Sequence, residues 1–527
     1  VIRSNIGWVC THSENRGYGL KSEKMASEST ISGSRAEYRG ISHWMERVLK
    51  ELEHVRTAPD ADAVHDLRVA LRRCRSLSAV MEEVDPDPAW PEMRKLGRKL
   101  FRQLGELRDT QVLEEWVTKL SEEADPVRKC LLNSLGKSEA EERDAALRAA
   151  AKFDEKEWKK LERVLSHRAR AVPPNSLAAQ SLAVERLEAA KELHLHALRT
   201  EKAEPWHELR IGVKRFRYTV ESLLPELYET WGENLKRVQD LLGDVHDLDV
   251  LSETMRRVAS EEATAVRDGW AQRIAAERQA RLEEYRELSM GTKRVWLEWK
   301  EGLPHGKRLE AAALARLRAT ARALDAHRGR AAEVARLALR LYEGFGRIKA
   351  GDPFVDREFR KVMRAAARVH GIGAGFPSHS PQKAARKFLR GMSLPLGWTE
   401  AEWDLLRMVV RYHRGEEPKA KDKAFARLEK AEQQAVCAMA GVLRMARVLR
   451  KCGVVSTKGL QVENSVDALI VRAPGLEDSE AAAARLAAGK HLLETVLERP
   501  LIVQRIGVLP QIVEMPKKEE TLQVASD

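Results

Sequence analysis

The feature that most constrains this chain is a long internal repeat. The segment from Trp206 to Leu251, WHELRIGVKRFRYTVESLLPELYETWGENLKRVQDLLGDVHDLDVL, has an earlier counterpart between His65 and Leu113. His65-Asp66-Leu67-Arg68 answers to His207-Glu208-Leu209-Arg210, and Arg72-Arg73-x-Arg75 answers to Lys214-Arg215-x-Arg217. Each copy closes on the same signature: Leu104-Gly105, Asp109 and Val112-Leu113 in the first, Leu242-Gly243, Asp247 and Val250-Leu251 in the second. A match of this length and order predicts a duplicated unit, so the fold must house two equivalent basic helices.

On an α-helix, His65, Arg68, Arg72 and Arg75 fall within an arc of roughly 80°. Leu67, Ala70, Leu71 and Cys74 lie on the opposite side. The second copy repeats the layout, with His207, Arg210, Lys214 and Arg217 on one stripe and Leu209, Val213, Phe216 and Val220 behind it. Tyr218 joins the polar stripe, and Arg73 and Arg215 sit on its border. Like charges at helical-neighbour spacing repel each other unless an anion compensates them. Arginine suits phosphate because its planar fork donates two hydrogen bonds at once. A histidine at the head of the stripe adds charge or a hydrogen bond according to its protonation. Arg98, Arg102, Lys236 and Arg237 supply further positive charge, and Asp109 and Asp247 are expected to cap or pair locally. The bland alternative is a solvated helix face, and the duplication of histidine, arginine spacing and Leu-Gly…Asp argues against it.

At 527 residues the chain exceeds one hydrophobic core, so two or three domains are expected. Ala, Leu, Glu, Arg and Lys dominate, which favours helix. A formal charge of +12 and a pI near 9.4 point to a polyanionic partner. Nucleic acid, an anionic membrane surface and inorganic polyphosphate all satisfy that requirement. The five cysteines form no CxxC pair, so neither a zinc ribbon nor a disulfide framework is supported. No apolar run approaches a membrane span, and the first 20 residues hold no signal-peptide core, so a cytoplasmic setting is expected. The chain opens at Val1, while Met25-Ala26-Ser27 makes a more ordinary start.

Punctuation along the chain divides it. Residues 1–35, rich in Ser and Gly, are expected to be a flexible tail. Residues 36–305 are helical, and Ala171-Val172-Pro173-Pro174-Asn175-Ser176 separates the two copies, each most simply a four-helix unit. Gly302-Leu303-Pro304-His305-Gly306 marks a boundary before a second helical domain, 308–505. Within it, Leu460–Glu463 and Asp467–Arg472 suggest a hairpin around Asn464-Ser465, followed by a closing helix over Ser479–Glu498. Residues 506–527 are expected to be a solvated tail. The fold class is mainly α.

The paired HxLRxxxRRxR and HxLRxxxKRxR segments, each followed by LG…D, resemble the CHAD family, the conserved-histidine α-helical domain. The likeness covers about residues 36–300. It implies two four-helix bundles related by a pseudo-twofold axis, with a basic central groove that binds inorganic polyphosphate. The family's binding residues carry over onto His65, Arg68, Arg72, Arg73, Arg75, His207, Arg210, Lys214, Arg215 and Arg217, with Arg98, Arg102 and Lys236 as outlying candidates, and Tyr218 joins the candidate set from its place on the stripe. Lys214 departs from the pattern: charge is kept where the first copy has Arg72, but the bidentate fork is lost. Glu155-Lys156-Glu157-Trp158-Lys159 matches the ExExK mark of triphosphate tunnel metalloenzymes. That motif needs a strand, where alternate residues share one face, and this stretch reads as helix.

The second domain carries Asp325-Ala326-His327-Arg328, then Ala367-Arg368-Val369-His370-Gly371-Ile372-Gly373, Ser378-His379-Ser380, Leu396-Gly397-Trp398 and Val409-Val410-Arg411-Tyr412-His413-Arg414-Gly415. This order resembles the C-terminal helical domain of the exopolyphosphatase and guanosine pentaphosphate phosphohydrolase family, itself related to HD phosphohydrolases. An active HD centre needs a His-Asp pair to hold the metal that activates water, and His370 is followed by Gly371. The later family histidines are replaced by Lys383 and Ala385. His327, His370, His379 and His413 could be remnants that hold the fold. Alternatively, with Lys383, Arg386, Arg411 and Arg414, they line a second anion groove. The glycine-rich phosphate loops of the family's catalytic domains are not found before residue 300.

The two resemblances converge on one ligand. They imply a cytoplasmic polyphosphate-binding protein, with association to polyphosphate granules open, and no metal, cofactor or membrane partner is expected. A phosphohydrolase acting on polyphosphate or an alarmone is the first alternative. A nucleic-acid binder is the second, and the aromatic content of 5% disfavours it, because single-strand binders interleave stacking residues with their basic ones.

Overall fold

Side-chain caps and prolines set where the helices of the duplicated region begin and end. In the computed structural model, which describes residues 40–506 apart from 58–59, 201, 259–263, 292–293, 326–328 and 420, the first repeat consists of six helices. They are α1 (Ile41–Thr57), α2 (Ala61–Met81), α3 (Ala89–Leu96), α4 (Arg98–Leu120), α5 (Pro126–Ala151) and α6 (Glu155–Arg168). The Asp60 carboxylate accepts from the Ala63 N–H to start α2, and Asp125 and Asp154 do the same for α5 and α6. The second repeat runs through α7 (Leu177–Ala197), α8 (Ala203–Leu223), α9 (Pro225–Val258), α10 (Thr264–Ser289) and α11 (Val295–Gly302). Ser176 caps α7, so the expected break between the copies falls at a helix start, and Pro225 forces α8 to stop before α9 begins. The expected tail 1–35, residues 507–527 of the expected C-terminal tail, and His327 lie outside the described residues.

Within each repeat, neighbouring helices pack along one another, α1 on α2 and α4 on α5 in the first, α7 on α8 and α9 on α10 in the second. Between repeats the equivalent helices meet: α2 lies against α8, and α4 against α9. Equivalent elements meet in this way when two copies face each other across a twofold relation. The apolar side predicted for the basic helices is the buried one. Leu67, Ala70, Leu71, Cys74, Leu209, Val213, Phe216 and Val220 have no exposed surface, and each large side chain among them contributes about 1.5–3 kcal/mol of burial. A smaller core around Trp116, Leu131, Leu251 and Trp270 ties the far ends of α4 and α5 to those of α9 and α10. The ExExK stretch is helical, in α6, where the buried Trp158 indole donates to the Met45 carbonyl at 3.0 Å.

The C-terminal region comprises α12 (Lys307–Ala323), α13 (Arg330–Arg347), α14 (Arg357–Val369), α15 (Pro381–Gly391), α16 (Glu400–Tyr412), α17 (Lys430–Lys451), β1 (Gln461–Asn464), β2 (Leu469–Pro474), α18 (Glu480–Leu497) and β3 (Leu501–Ile506). Helix α17 is central, packed by α13, α16 and α18. The expected hairpin is present as the antiparallel pair β1–β2. The sheet has a third strand that the sequence reading did not anticipate: β3 runs parallel to β2, with Leu469 paired to Leu501, after the α18 crossover. Only Leu501 of β3 is buried, so the strand shows no alternating pattern to read.

The boundary near residue 305 is a turn of the chain and not a separating linker. Helix α12 packs on α7 of the duplicated region as well as on α14. Arg316 of α12, 4% exposed, pairs with Glu185 and lies 3.7 Å from Glu83, both in the repeats. No helix among the described residues is long and apolar enough to cross a membrane.

Candidate functional site

Because α2 and α8 meet face to face, the two basic stripes converge on one seam. Lys214 shows this best. Its ammonium is pulled down to about 7 by burial, with Arg210 of its own helix and Arg72 and Arg68 of the other repeat adding to the shift. Arg68 is lowered by burial and then by Arg72. Arg72, Arg210 and Lys214 have no ion pair among the described residues, while Arg68 reaches Asp109 of α4 at 3.1 Å. Asp109 thus pairs locally, as expected, but inside the seam. Asp247 lies there too, its carboxyl pushed up to about 6 by burial, against the pull of Arg210 and with Asp109 adding to the rise. Four cations facing one another with two acids cannot neutralise themselves, and their partial burial makes the repulsion costly.

The repeat-heading histidines flank the seam. His207 and His246 face each other with their Nδ1 atoms 3.1 Å apart, so one ring donates and the other accepts. Burial, followed by Arg210, lowers His246 to about 4, which makes it neutral. His65 is lowered by burial and then by Arg108 and Arg72. Arg108 therefore stands beside His65 as His246 stands beside His207. Arg108 precedes Asp109 as His246 precedes Asp247, so the two occupy equivalent positions of the repeat although their side chains differ. Repetition of the neighbourhood is the signal that singles them out.

The remaining residues expected in the groove divide into groups. Arg73 and Arg217 converge on Glu221, Arg217 at 3.9 Å, and Arg73 also stacks at 5.4 Å over the rings of Trp44 and Tyr218. Tyr218 is buried at 6% exposure, where its hydroxyl accepts from Arg72 at 3.4 Å. This tyrosine sits at the contact between repeats, not on an open polar face. Arg75 donates to the Arg94 carbonyl at 3.1 Å and covers the Phe101 ring, and Arg94 and Arg98 both bear on its charge. Lys236 is exposed and, with Arg217, acts on Asp240. Arg102 faces solvent beside Glu106 at 3.7 Å. Arg215 is exposed on the other side of α8, where its charge falls on Arg186. Sterics and neutralisation thus leave His65, Arg68, Arg72, His207, Arg210 and Lys214 as the convergent set.

The residues proposed for a second groove do not assemble as one. His370, His413 and Arg414 line a common cavity. His379 is exposed elsewhere, and Lys383 lines a different cavity together with Glu82 and Glu83. Arg411 is 9% exposed and lies 5.3 Å from the Tyr412 ring. Gly371 explains the missing carboxylate in steric terms: a Cβ there would stand 2.7 Å from the Ala331 Cβ, so the approach of α13 leaves no room for an aspartate. No group of three or more His, Cys, Asp or Glu side chains among the described residues is placed to hold a metal ion.

Fold and seam together define a helical duplication that concentrates cations along its own symmetry contact. Residues 40–256 match the family model of the CHAD domain, and residues 316–468 match that of Ppx/GppA phosphatase, domain III. The chain carries a CHAD domain followed by a module similar to the third domain of those phosphatases. A crystal structure of the CHAD domain from the plant Ricinus communis aligns at 23% identity over 47% of this chain and 88% of that one, with a TM-score of 0.37. No curated protein sequence matches the chain.

Proposed function

We propose that this protein binds inorganic polyphosphate along the seam between α2 and α8. The observation that carries the reading is Lys214, held near pH 7 by burial and by Arg210, Arg72 and Arg68 from both repeats. Such a cluster is under-neutralised in the free protein, and a linear polyanion relieves it by placing one negative charge against each cation in turn. Arginine forks bind phosphate oxygens two at a time, while Lys214 acts as a point charge between them. The two CHAD repeats would contact the polyanion from opposite sides, and the Ppx/GppA-like module is compatible with the same ligand class. His65 and His207 act as hydrogen-bond partners at the ends of the stripes.

Competition separates this reading from nucleic-acid binding. The full chain is equilibrated with labelled long-chain polyphosphate, then challenged with single-stranded RNA or duplex DNA at equal phosphate concentration. Polyphosphate should remain bound. Displacement by RNA or DNA at parity would overturn the assignment, because nucleic acid would then satisfy the seam equally well.

A further inference from the structure

A second cluster of unpaired cations lies far from the seam in sequence. A cavity of about 330 Å3 opens where the start of α13 meets the ends of α14, α16 and α17. Arg330, Arg414, Arg447 and Lys451 line it without an ion pair among the described residues. Arg450 is already held by Glu333. The one carboxylate among the described lining residues, Asp325, accepts from the Gly329 N–H at 2.9 Å. Arg447 is pulled down to about 10 by burial and by the neighbouring Arg414 and Arg444. The cavity is therefore cationic, with its charge unsatisfied.

Two buried rings complete it. His370 and His413 are 5% and 3% exposed, with ring centroids 5.4 Å apart. Each Nδ1 lies against a carbonyl of its own helix, His370 at 2.9 Å from the Ala367 oxygen and His413 at 2.7 Å from that of Val410. A carbonyl only accepts, so each Nδ1 carries the hydrogen and each Nε2 keeps a lone pair. Neither Nε2 has a hydrogen-bond partner among the described residues. Burial, with Arg447 adding to it, holds both rings neutral, His370 down to about 4.

Arginines beside imidazole acceptors select one kind of anion. A fully deprotonated oxyanion would set its oxygens against the Nε2 lone pairs. An anion that keeps one O–H can donate it to Nε2 and give its remaining charge to the guanidinium groups. A terminal phosphate has such a hydrogen, because its second ionisation lies near pH ~6. A phosphate inside a chain, or in a ring, has only its strongly acidic oxygen and is fully ionised. We propose that this cavity binds the terminal phosphate of a linear phosphate chain, with Arg414 and Arg447 holding the charge and a His370 or His413 Nε2 accepting the P–OH hydrogen. The proposal is independent of the seam, since none of its residues lies there.

The test is calorimetric titration of the full chain at pH 6.5 with pyrophosphate and with cyclic trimetaphosphate, which has no ends. It is run on the parent, on Arg447→Gln, on Arg414→Gln as a second, independent variant, and on Arg68→Glu/Arg210→Glu to silence the seam. Pyrophosphate should bind both the parent and the seam variant, and at least tenfold more weakly to each single arginine variant. In the seam variant trimetaphosphate should bind at least tenfold more weakly than pyrophosphate. Equal affinity for ring and linear forms in the seam variant would overturn the proposal, as would pyrophosphate binding that neither arginine variant alters. Loss of long-chain binding in the seam variant alone bears on the seam and leaves this result intact.

Discussion

Lys214 stands where the first repeat has Arg72, and that exchange makes the seam sensitive to pH in a way an all-arginine seam would not be. In the free protein its ammonium is lowered to about 7, burial being the largest cause. A bound polyanion restores compensating charge and raises the value again, so binding takes up a proton above pH 7. The affinity is then full below pH 7 and declines as pH rises, until the bound-state value is reached. For a bound-state value above 8.5, the charged fraction falls from one half at pH 7 to about 3% at pH 8.5, which weakens binding roughly 15-fold, or ~1.6 kcal/mol. The assay is titration with long-chain polyphosphate, whose ends are few, at fixed ionic strength from pH 6.5 to 8.5. Of the neighbouring seam groups, His246 near 4 is neutral throughout this window, and Asp247 near 6 is largely ionised above pH 7. Lys214→Arg should flatten the profile to less than about twofold, because a guanidinium stays charged throughout. The unliganded protein should show the opposite trend. A lysine with a folded-state value below its unfolded one costs stability where it is charged, so thermal stability should rise from pH 7 towards pH 9. A Lys214→Arg variant that keeps the parent's pH slope would refute the reasoning.

Other expectations follow from the same geometry. If the four seam cations each replace one counterion, polyphosphate affinity should fall ~50-fold between 50 and 200 mM salt, and an affinity unchanged over that range would count against a charge-driven seam. Arg316→Ala leaves Glu185 without its partner at the contact between α12 and the repeats, while Glu83 keeps Arg186, and should cost about 2–4 kcal/mol in chemical unfolding. A change below about 0.5 kcal/mol would show that the pair is not holding that contact. Gly371→Asp should destabilise the chain by about 1–3 kcal/mol, because its side chain meets Ala331, and should yield no metal-dependent phosphate release from polyphosphate. Release above the parent's would show that the helices can part to rebuild a metal centre.

The architecture was legible where duplication and periodicity reinforced each other. The apolar sides of α2 and α8 are buried as their spacing dictates, and the break at 171–176 falls at the Ser176 cap. What the spacing could not show is that a polar stripe close to a symmetry contact is partly interface. Tyr218 sits in the right stripe and is buried all the same, because α2 and α8 meet there. Arg73 and Arg217 look as free as Arg72 in sequence. They are spent on Glu221, and only the Arg217 half of that arrangement has a readable spacing, four residues along one helix. Arg447 and Arg330 belong to the C-terminal cavity but come from helices more than a hundred residues apart, with no shared motif. Strand β3 was missed for a related reason: its partner β2 is reached through a crossover helix, so no local turn announces the pairing.

The central claim is that cations from both repeats act on one polyanion. It is tested most directly by titrating long-chain polyphosphate into the full chain and into Arg68→Glu, Arg210→Glu and the double variant, each first shown to be folded. A shared seam predicts that either single reversal, in one repeat or the other, lowers affinity by tenfold or more and that the double variant abolishes binding. Unchanged affinity in either single variant, or in the double, would contradict it.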